Sequence, residues 1–184
     1  MISSYNNNIN FGDLLSTITF INQPKTIVEI GILEGYSLSK FIENSSPHTR
    51  IDAYDIFNDF NGNHADKEKI VQKFSRHNNV NINYGDFYEV SELYSNNSID
   101  ILHIDIANNG DVYEYMFQKY INKLKNYGII IIEWGSNDRD NIEWMIKYNK
   151  PKIQPILTKY KKIYNIHTIG VIPSITIITN KNSP

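Results

Sequence analysis

Five acidic residues recur along the chain, each within or just beyond a short run fit for a strand. Glu29 lies in Thr26-Ile27-Val28-Glu29-Ile30, Asp55 closes Ile51-Asp52-Ala53-Tyr54-Asp55, and Asp86 follows Val80 to Gly85. Asp105 follows Ile101-Leu102-His103-Ile104, and Glu133 follows Gly128-Ile129-Ile130-Ile131-Ile132. One such acid would mean little. Together they describe a pocket for a polyhydroxylated or cationic ligand, because carboxylates accept hydrogen bonds from ribose hydroxyls, amines and ring amino groups. The first turn, Glu29-Ile30-Gly31-Ile32-Leu33-Glu34-Gly35, is neither a Gly-x-Gly-x-x-Gly dinucleotide fingerprint nor a phosphate loop ending in Gly-Lys-Ser/Thr, which weighs against hydride and phosphoryl transfer. Asp55 follows Gly31 at close to the roughly 20-residue offset at which an acid meets a ribose in a βαβ unit.

The elements that must position these residues follow from periodicity. Phe11, Leu14, Leu15, Ile18 and Ile21 recur at helical spacing and predict a leading helix over 11–23, after a polar, flexible start over 1–10. Strand, glycine turn and helix then alternate: strands at 26–30, 51–56, 80–84, 99–106 and 128–132, with helices through about Glu43, over 65–77, near 90–94, over 111–125 and over 138–149. The tail predicts two strands, 151–157 and 174–179, separated by a Tyr- and Lys-rich segment, with a final antiparallel pairing. Such alternation requires an α/β domain: a Rossmann-like, doubly wound, mostly parallel sheet of about seven strands, the last antiparallel, with helices on both faces. Ligands in these sheets sit beyond the carboxyl ends of the strands, where the five acids stand. The whole chain, 1–184, reads as a single domain.

Composition narrows the chemistry. No cysteine is present, so disulfides, thiolate zinc sites and cysteine nucleophiles are excluded. Lys plus Arg number 18 against 20 Asp plus Glu, a net charge of −2 without long like-charged runs, which disfavours a dedicated nucleic-acid binder. No stretch approaches the roughly 18 apolar residues of a membrane span, so a cytoplasmic protein is expected.

Glu-x-Gly-x-x-x-Gly after the first strand, Asp55 after the second, Gly85-Asp86-Phe87 after the third and Asp105 after the fourth resemble the class I S-adenosylmethionine-dependent methyltransferases over residues 25–135. Within that class, Leu102-His103-Ile104-Asp105, a helix, and then Tyr127-Gly128-Ile129-Ile130 look like the small O-methyltransferases related to macrocin O-methyltransferase and cephalosporin hydroxylase proteins. The resemblance implies S-adenosylmethionine as cofactor. Gly31 and Gly35 would border its methionine part with Glu29 and Ser37 nearby, and Asp55 would hold the ribose hydroxyls. Asp86 would meet the adenine amino group, Phe87 and Ile56 would face the ring, and Asp105 would stand near the sulfonium and the acceptor.

Each residue also has a plainer role to set against these. Asp86 suits a helix N-cap, as does Asp111. His103, alternating with Asp105 on a buried strand, suits a core histidine, and Trp134 and Trp144 suit core or interface aromatics. Asp105 and Glu133 end neighbouring strands and would converge on a Mg²⁺ ion, with Asn108, Asn109 or Asp111 completing the shell; Trp134 and Gly135 after Glu133 depart from the metal-dependent relatives, and both chemistries stay open. For the proton acceptor Asp105 comes first, then His64 and His167. The expected acceptor is a small molecule, a sugar or nucleotide-linked sugar, with Tyr113 and Trp134 as stacking faces and the leading helix and residues 159–173 shaping the site. No nucleic-acid or membrane partner is expected, and a homodimer is left open. The alternative is a non-catalytic S-adenosylmethionine- or S-adenosylhomocysteine-binding regulatory or assembly protein. Asp55→Ala is expected to weaken cofactor binding and spare the fold.

Overall fold

The computed structural model describes residues 10–59 and 63–181. The flexible start expected over 1–10 therefore falls, except for Asn10, outside the described residues. The first half keeps to the predicted order: α1 (Phe11–Asn22), β1 (Thr26–Ile30), α2 (Tyr36–Asn44), β2 (Arg50–Asp55), α3 (Lys67–Phe74), β3 (Val80–Tyr84), α4 (Phe87–Val90) and β4 (Ile99–Ile104). Then come α5 (Gly110–Tyr115), β5 (Leu124–Glu133), α6 (Glu143–Lys147), α7 (Ile153–Tyr160), β6 (Tyr164–Gly170) and β7 (Ser174–Asn180).

The seven strands form one sheet in the order β3-β2-β1-β4-β5-β7-β6. Strands β1 to β5 are mutually parallel, and β7 runs antiparallel to both β5 and β6. The order reverses between β1 and β4, so the crevice of a doubly wound sheet opens there. Successive residues of the central strands face opposite layers. Ile27, Ile101 and Ile131 join Phe11, Leu15, Leu38, Phe41 and Phe74 beneath α1 to α3. Val28, Leu102, Ile130 and Ile132 join Val112, Tyr113, Met116, Ile153 and Leu157 beneath α5 and α7. Both faces are covered, which is why β4 and β5 read as near-continuous apolar runs.

Three predicted elements differ. The 151–157 strand is instead α7, whose Ile153 and Leu157 sit one helical turn apart on the buried face. Asp140 accepts from the first N–H groups of that helix, those of Ile153 (2.7 Å) and Gln154 (2.9 Å), a cap delivered from another segment. The Tyr- and Lys-rich segment holds strand β6 at the sheet edge. The helix expected over 111–125 is α-helical only to Tyr115; a π turn over 116–120 and a 3₁₀ turn over 121–123 follow, and β5 begins at Leu124. Between the pairs Ile99↔Leu124 and Ile101↔Ile129 the register shifts, so the intervening residues bulge from the ladder and Tyr127 is exposed.

Candidate functional site

The turn after β1 sets the geometry. Gly31 adopts φ +94°, and a Cβ there would lie 2.0 Å from the carbonyl oxygen of Asp105. Its N–H donates to Tyr54 O (2.8 Å), while Asp105 N–H donates to Ile30 O (2.9 Å), so the ends of β1, β2 and β4 are laced together around a residue without a side chain. Only glycine meets both the backbone angle and the approach. Gly35, at φ +73°, caps α2 and lies against the ring of Phe74.

Above this turn lies a cleft of about 520 Å³, within the range that holds a small ligand. Of the residues predicted from sequence, Gly31, Ser37, Asp55, Ile56, Asp86, Phe87, Asp105 and Glu133 line it. Glu29, Gly35, His64 and His167 do not. His64 is exposed beside the cleft, and His167 is exposed on edge strand β6, two strands beyond β5. Asp105 is thus the one candidate proton acceptor of the three that faces the ligand space.

Asp55 is buried and fully engaged. Its Oδ2 accepts from the backbone N–H groups of Ile32 (2.8 Å) and Leu33 (3.2 Å), and its Oδ1 from Phe57 N–H (2.7 Å) and the Asn63 side-chain amide (2.6 Å). A carboxylate offers about four acceptor positions, and here each is filled. The residue ties the β1 turn to the β2 turn, so a substitution that spares the fold is no longer expected of Asp55→Ala.

Glu29 stands one layer below the cleft. It is fully buried on β1, accepts from Ser37 Oγ, and meets His103 Nδ1 at 3.0 Å across 74 residues of sequence. Burial pushes its carboxyl above the ordinary 4.5, with His103 and Ser37 pulling the other way and nearby Asp105 adding to the rise. His103, packed edge-on against Phe41, is the core histidine its position on β4 predicts. Glu29 therefore holds Ser37, which does reach the cleft.

At the β3 end Asp86 both lines the cleft and caps α4, its Oδ1 accepting from Tyr88 N–H (2.7 Å). Phe87 shows the cleft little surface: one face stacks on Tyr120 at 5.1 Å, and Tyr88 and Tyr115 meet it at an angle. The exposed aromatic here is Tyr88, which sequence reading passed over, as it did Asn63 and Leu33; Asn109, weighed there only as a metal ligand, also lines the cleft. Nothing in their types marks them; they belong to the site because turns bring them to it.

The acceptor end is built on the β5 terminus. Tyr113 is fully buried, with its hydroxyl on Trp134 O (2.8 Å), and so offers no stacking face. Trp134 is half-buried with its ring under the Arg139 guanidinium, 4.4 Å from the centroid; Trp144 meets the same guanidinium at 5.0 Å. Arg139 is itself buried and donates to Asn108 O (3.1 Å). Burial lowers its pKa, and the Glu133 carboxylate opposes that most strongly. Glu133 thus has a protein cation nearby. Of the groups weighed as further metal ligands, Asn109 Oδ1 caps α5 through Asp111 N–H (2.7 Å), the Asp111 side chain is exposed, and Asn108 donates from Nδ2 to Glu133 O (2.9 Å) while its Oδ1 is buried without a hydrogen-bond partner. Among the described residues no group of three or more His, Cys, Asp or Glu is placed to hold a metal. No step below is routed through a metal ion. Among the described residues, also, no helix is long and apolar enough to cross a membrane.

Comparison with known proteins gives the family and the fold. Residues 28–133, from β1 to the end of β5, match the methyltransferase domain family. No curated protein matches the chain. Among solved structures, it is similar to an O-methyltransferase from Streptomyces achromogenes involved in tomaymycin synthesis, in complex with SAM (S-adenosylmethionine), at 15% identity and TM-score 0.70, covering 98% of this chain and 81% of that one. An O-methyltransferase from Bacillus cereus in complex with SAH (S-adenosylhomocysteine) gives 17% identity and TM-score 0.69, with 97% and 84% covered. A methyltransferase from Geobacter sulfurreducens gives 20% identity and TM-score 0.64, with 92% and 77% covered. At these identities the likeness is one of fold, and the family match over more than half of the chain carries the assignment: this chain belongs to the methyltransferase domain family.

Proposed function

We propose that the cleft binds S-adenosylmethionine and that the chain transfers its methyl group to a hydroxyl oxygen of a small polyhydroxylated acceptor, a sugar or nucleotide-linked sugar. The observation that carries this reading is the convergence of Asp55, Asp86 and Asp105 on one cleft beside the Gly31 turn. Asp55 lies at the ribose position and Asp86 with Tyr88 at the adenine position, while Ser37 and the Gly31 backbone border the methionine end. The O-methyltransferases among the similar folds support oxygen as the acceptor atom. Two carboxylates at the acceptor end, Asp105 and Glu133, suit hydroxyls as donors and favour a polyol.

The sulfonium methyl needs little covalent help. The acceptor oxygen attacks the methyl carbon in line, the C–O bond forms as the C–S bond breaks, and sulfur leaves as a neutral thioether. Asp105 takes the hydroxyl proton. Alignment of the two partners in the cleft supplies most of the rate.

Calorimetric titration with SAH, with NAD as control and with and without Mg²⁺, tests binding; a screen of nucleotide-linked sugars with S-adenosylmethionine then tests transfer. SAH binding without NAD binding is expected, followed by methylated product, and a Mg²⁺ effect would point to Asp105 and Glu133. Failure to bind SAH would sink the reading, and binding without product across acceptors would leave a cofactor-binding protein.

A further inference from the structure

Asp55, if it is to receive a ribose, has no acceptor position to spare. Three of its four donors are backbone N–H groups fixed by the β1 and β2 turns: Ile32, Leu33 and Phe57. The fourth is a side chain. Asn63 lines the same cleft and places its amide 2.6 Å from Oδ1, where it supplies what a ribose hydroxyl would supply, a neutral donor aimed at a buried carboxylate. Its own carbonyl is in use, since Asn63 Oδ1 accepts from Ala65 N–H (3.0 Å) in the approach to α3.

We infer that Asn63 is a built-in competitor of the cofactor's ribose diol: the nucleoside gains its bond to Asp55 Oδ1 only by displacing the Asn63 amide. This inference rests on the methyltransferase reading above and deepens it by naming a residue that sets cofactor and product affinity. The physical consequence is an exchange of one hydrogen bond for another. A ligand that replaces an existing bond to a charged acceptor gains less than one that meets an open acceptor, because the donor it displaces must be accommodated elsewhere. Nucleoside binding is weakened in both directions of the reaction, and the thioether product leaves faster for the same reason. A ligand without the diol does not displace Asn63 and escapes the penalty.

The test compares SAH with its 2′,3′-dideoxy analogue by calorimetry on the full chain, in the wild type, Asn63→Ala and Asn63→Ser. Serine keeps a hydroxyl acceptor for the Ala65 amide but is too short to span the gap to Asp55, so it decides the matter if Asn63→Ala lowers the melting temperature. Both variants are expected to bind SAH about three- to tenfold more tightly than the wild type, the scale of one modest hydrogen-bond difference. The dideoxy analogue is expected to bind all three proteins alike. Unchanged or weaker SAH binding in the folded variants, or an equal gain for the dideoxy analogue, would overturn the inference and leave Asn63 a support of Asp55. A wild type that binds no SAH fails differently: it removes the methyltransferase reading itself.

Discussion

The two ends of the sheet both carry acids, and they treat them differently. At the amino ends, Asp52 on β2 is buried against Arg50 (2.8 Å), the Asn81 amide (2.8 Å) and the hydroxyl of Tyr94 (2.8 Å). Asp100 on β4 accepts from the Lys25 and Thr26 N–H groups (3.0 and 2.8 Å) and from Lys125 Nζ (2.7 Å). Each has a cation of its own. At the carboxyl ends, Asp55 meets backbone and amide N–H groups alone, and Asp86 a backbone N–H. Neutral donors hold a carboxylate in place without cancelling its charge, so it still attracts a cationic or hydroxylated ligand. Asp52 and Asp100 are therefore struts, and Asp55 and Asp86 are struts that also face a ligand.

The sharpest way to break the carboxyl end is Gly31→Ala. A methyl group there meets the Asp105 carbonyl in a backbone conformation that alanine resists, so a loss of about 3 kcal/mol or more is expected in denaturant unfolding, with SAH binding abolished. Wild-type behaviour would mean that the turn is not fixed as described. Asp55→Ala comes next. It strips the acceptor from three backbone N–H groups, which predicts about 2 kcal/mol of lost stability together with at least tenfold weaker SAH binding. Loss of affinity alone would restore the simpler role expected from sequence.

That double role marks the limit of what sequence discloses. The alternation of apolar runs with glycine turns was enough to place β1 to β5 and the five acids at their ends, because period and turn chemistry are local. Strand β6 and helix α7 were not legible for the same reason in reverse. Pro155 speaks against a helix unless it falls in the first turn, where its missing N–H costs nothing, and the cap that fixes that first turn comes from Asp140 in another segment. Strand β6 exposes Asn165 and His167 and pairs with β7 alone, so no buried run announces it. In the site, Glu29 looked like a ligand residue until its fold-distant partner His103 appeared beside it. Asn63 and Tyr88 had no signal beyond proximity that only the turns create.

Glu29 tests whether a carboxylate one layer below the cleft behaves like either end. Burial raises its folded pKa above the ordinary 4.5, so its contribution to stability is fully present below that value and is lost as pH rises through the raised one. Glu29→Gln removes the titration. The wild type is therefore expected to lose stability relative to the variant above pH 4.5, by up to about 1.4 kcal/mol per pH unit, in unfolding measured from pH 4.5 to 8. A difference that stays constant with pH would mean that His103 and Ser37 offset the burial in full.

The smallest effect is the one that separates the two ends most cleanly. Asp100 receives two backbone N–H groups and a lysine, yet it stands at the amino end of β4, the opposite end of the strands from the cleft, and its partly exposed position lets water replace part of what is removed. Asp100→Ala should cost about 1 kcal/mol in denaturant unfolding and leave SAH affinity unchanged within error. Asp55→Ala, with a comparable number of bonds lost, should move both quantities. If Asp100→Ala also weakens SAH binding, β4 transmits strain from its amino end to Asp105, and the two ends are one mechanical unit. If affinity holds while stability falls, hydrogen-bond count alone does not distinguish a ligand-facing acid from a strut, and position at the cleft does.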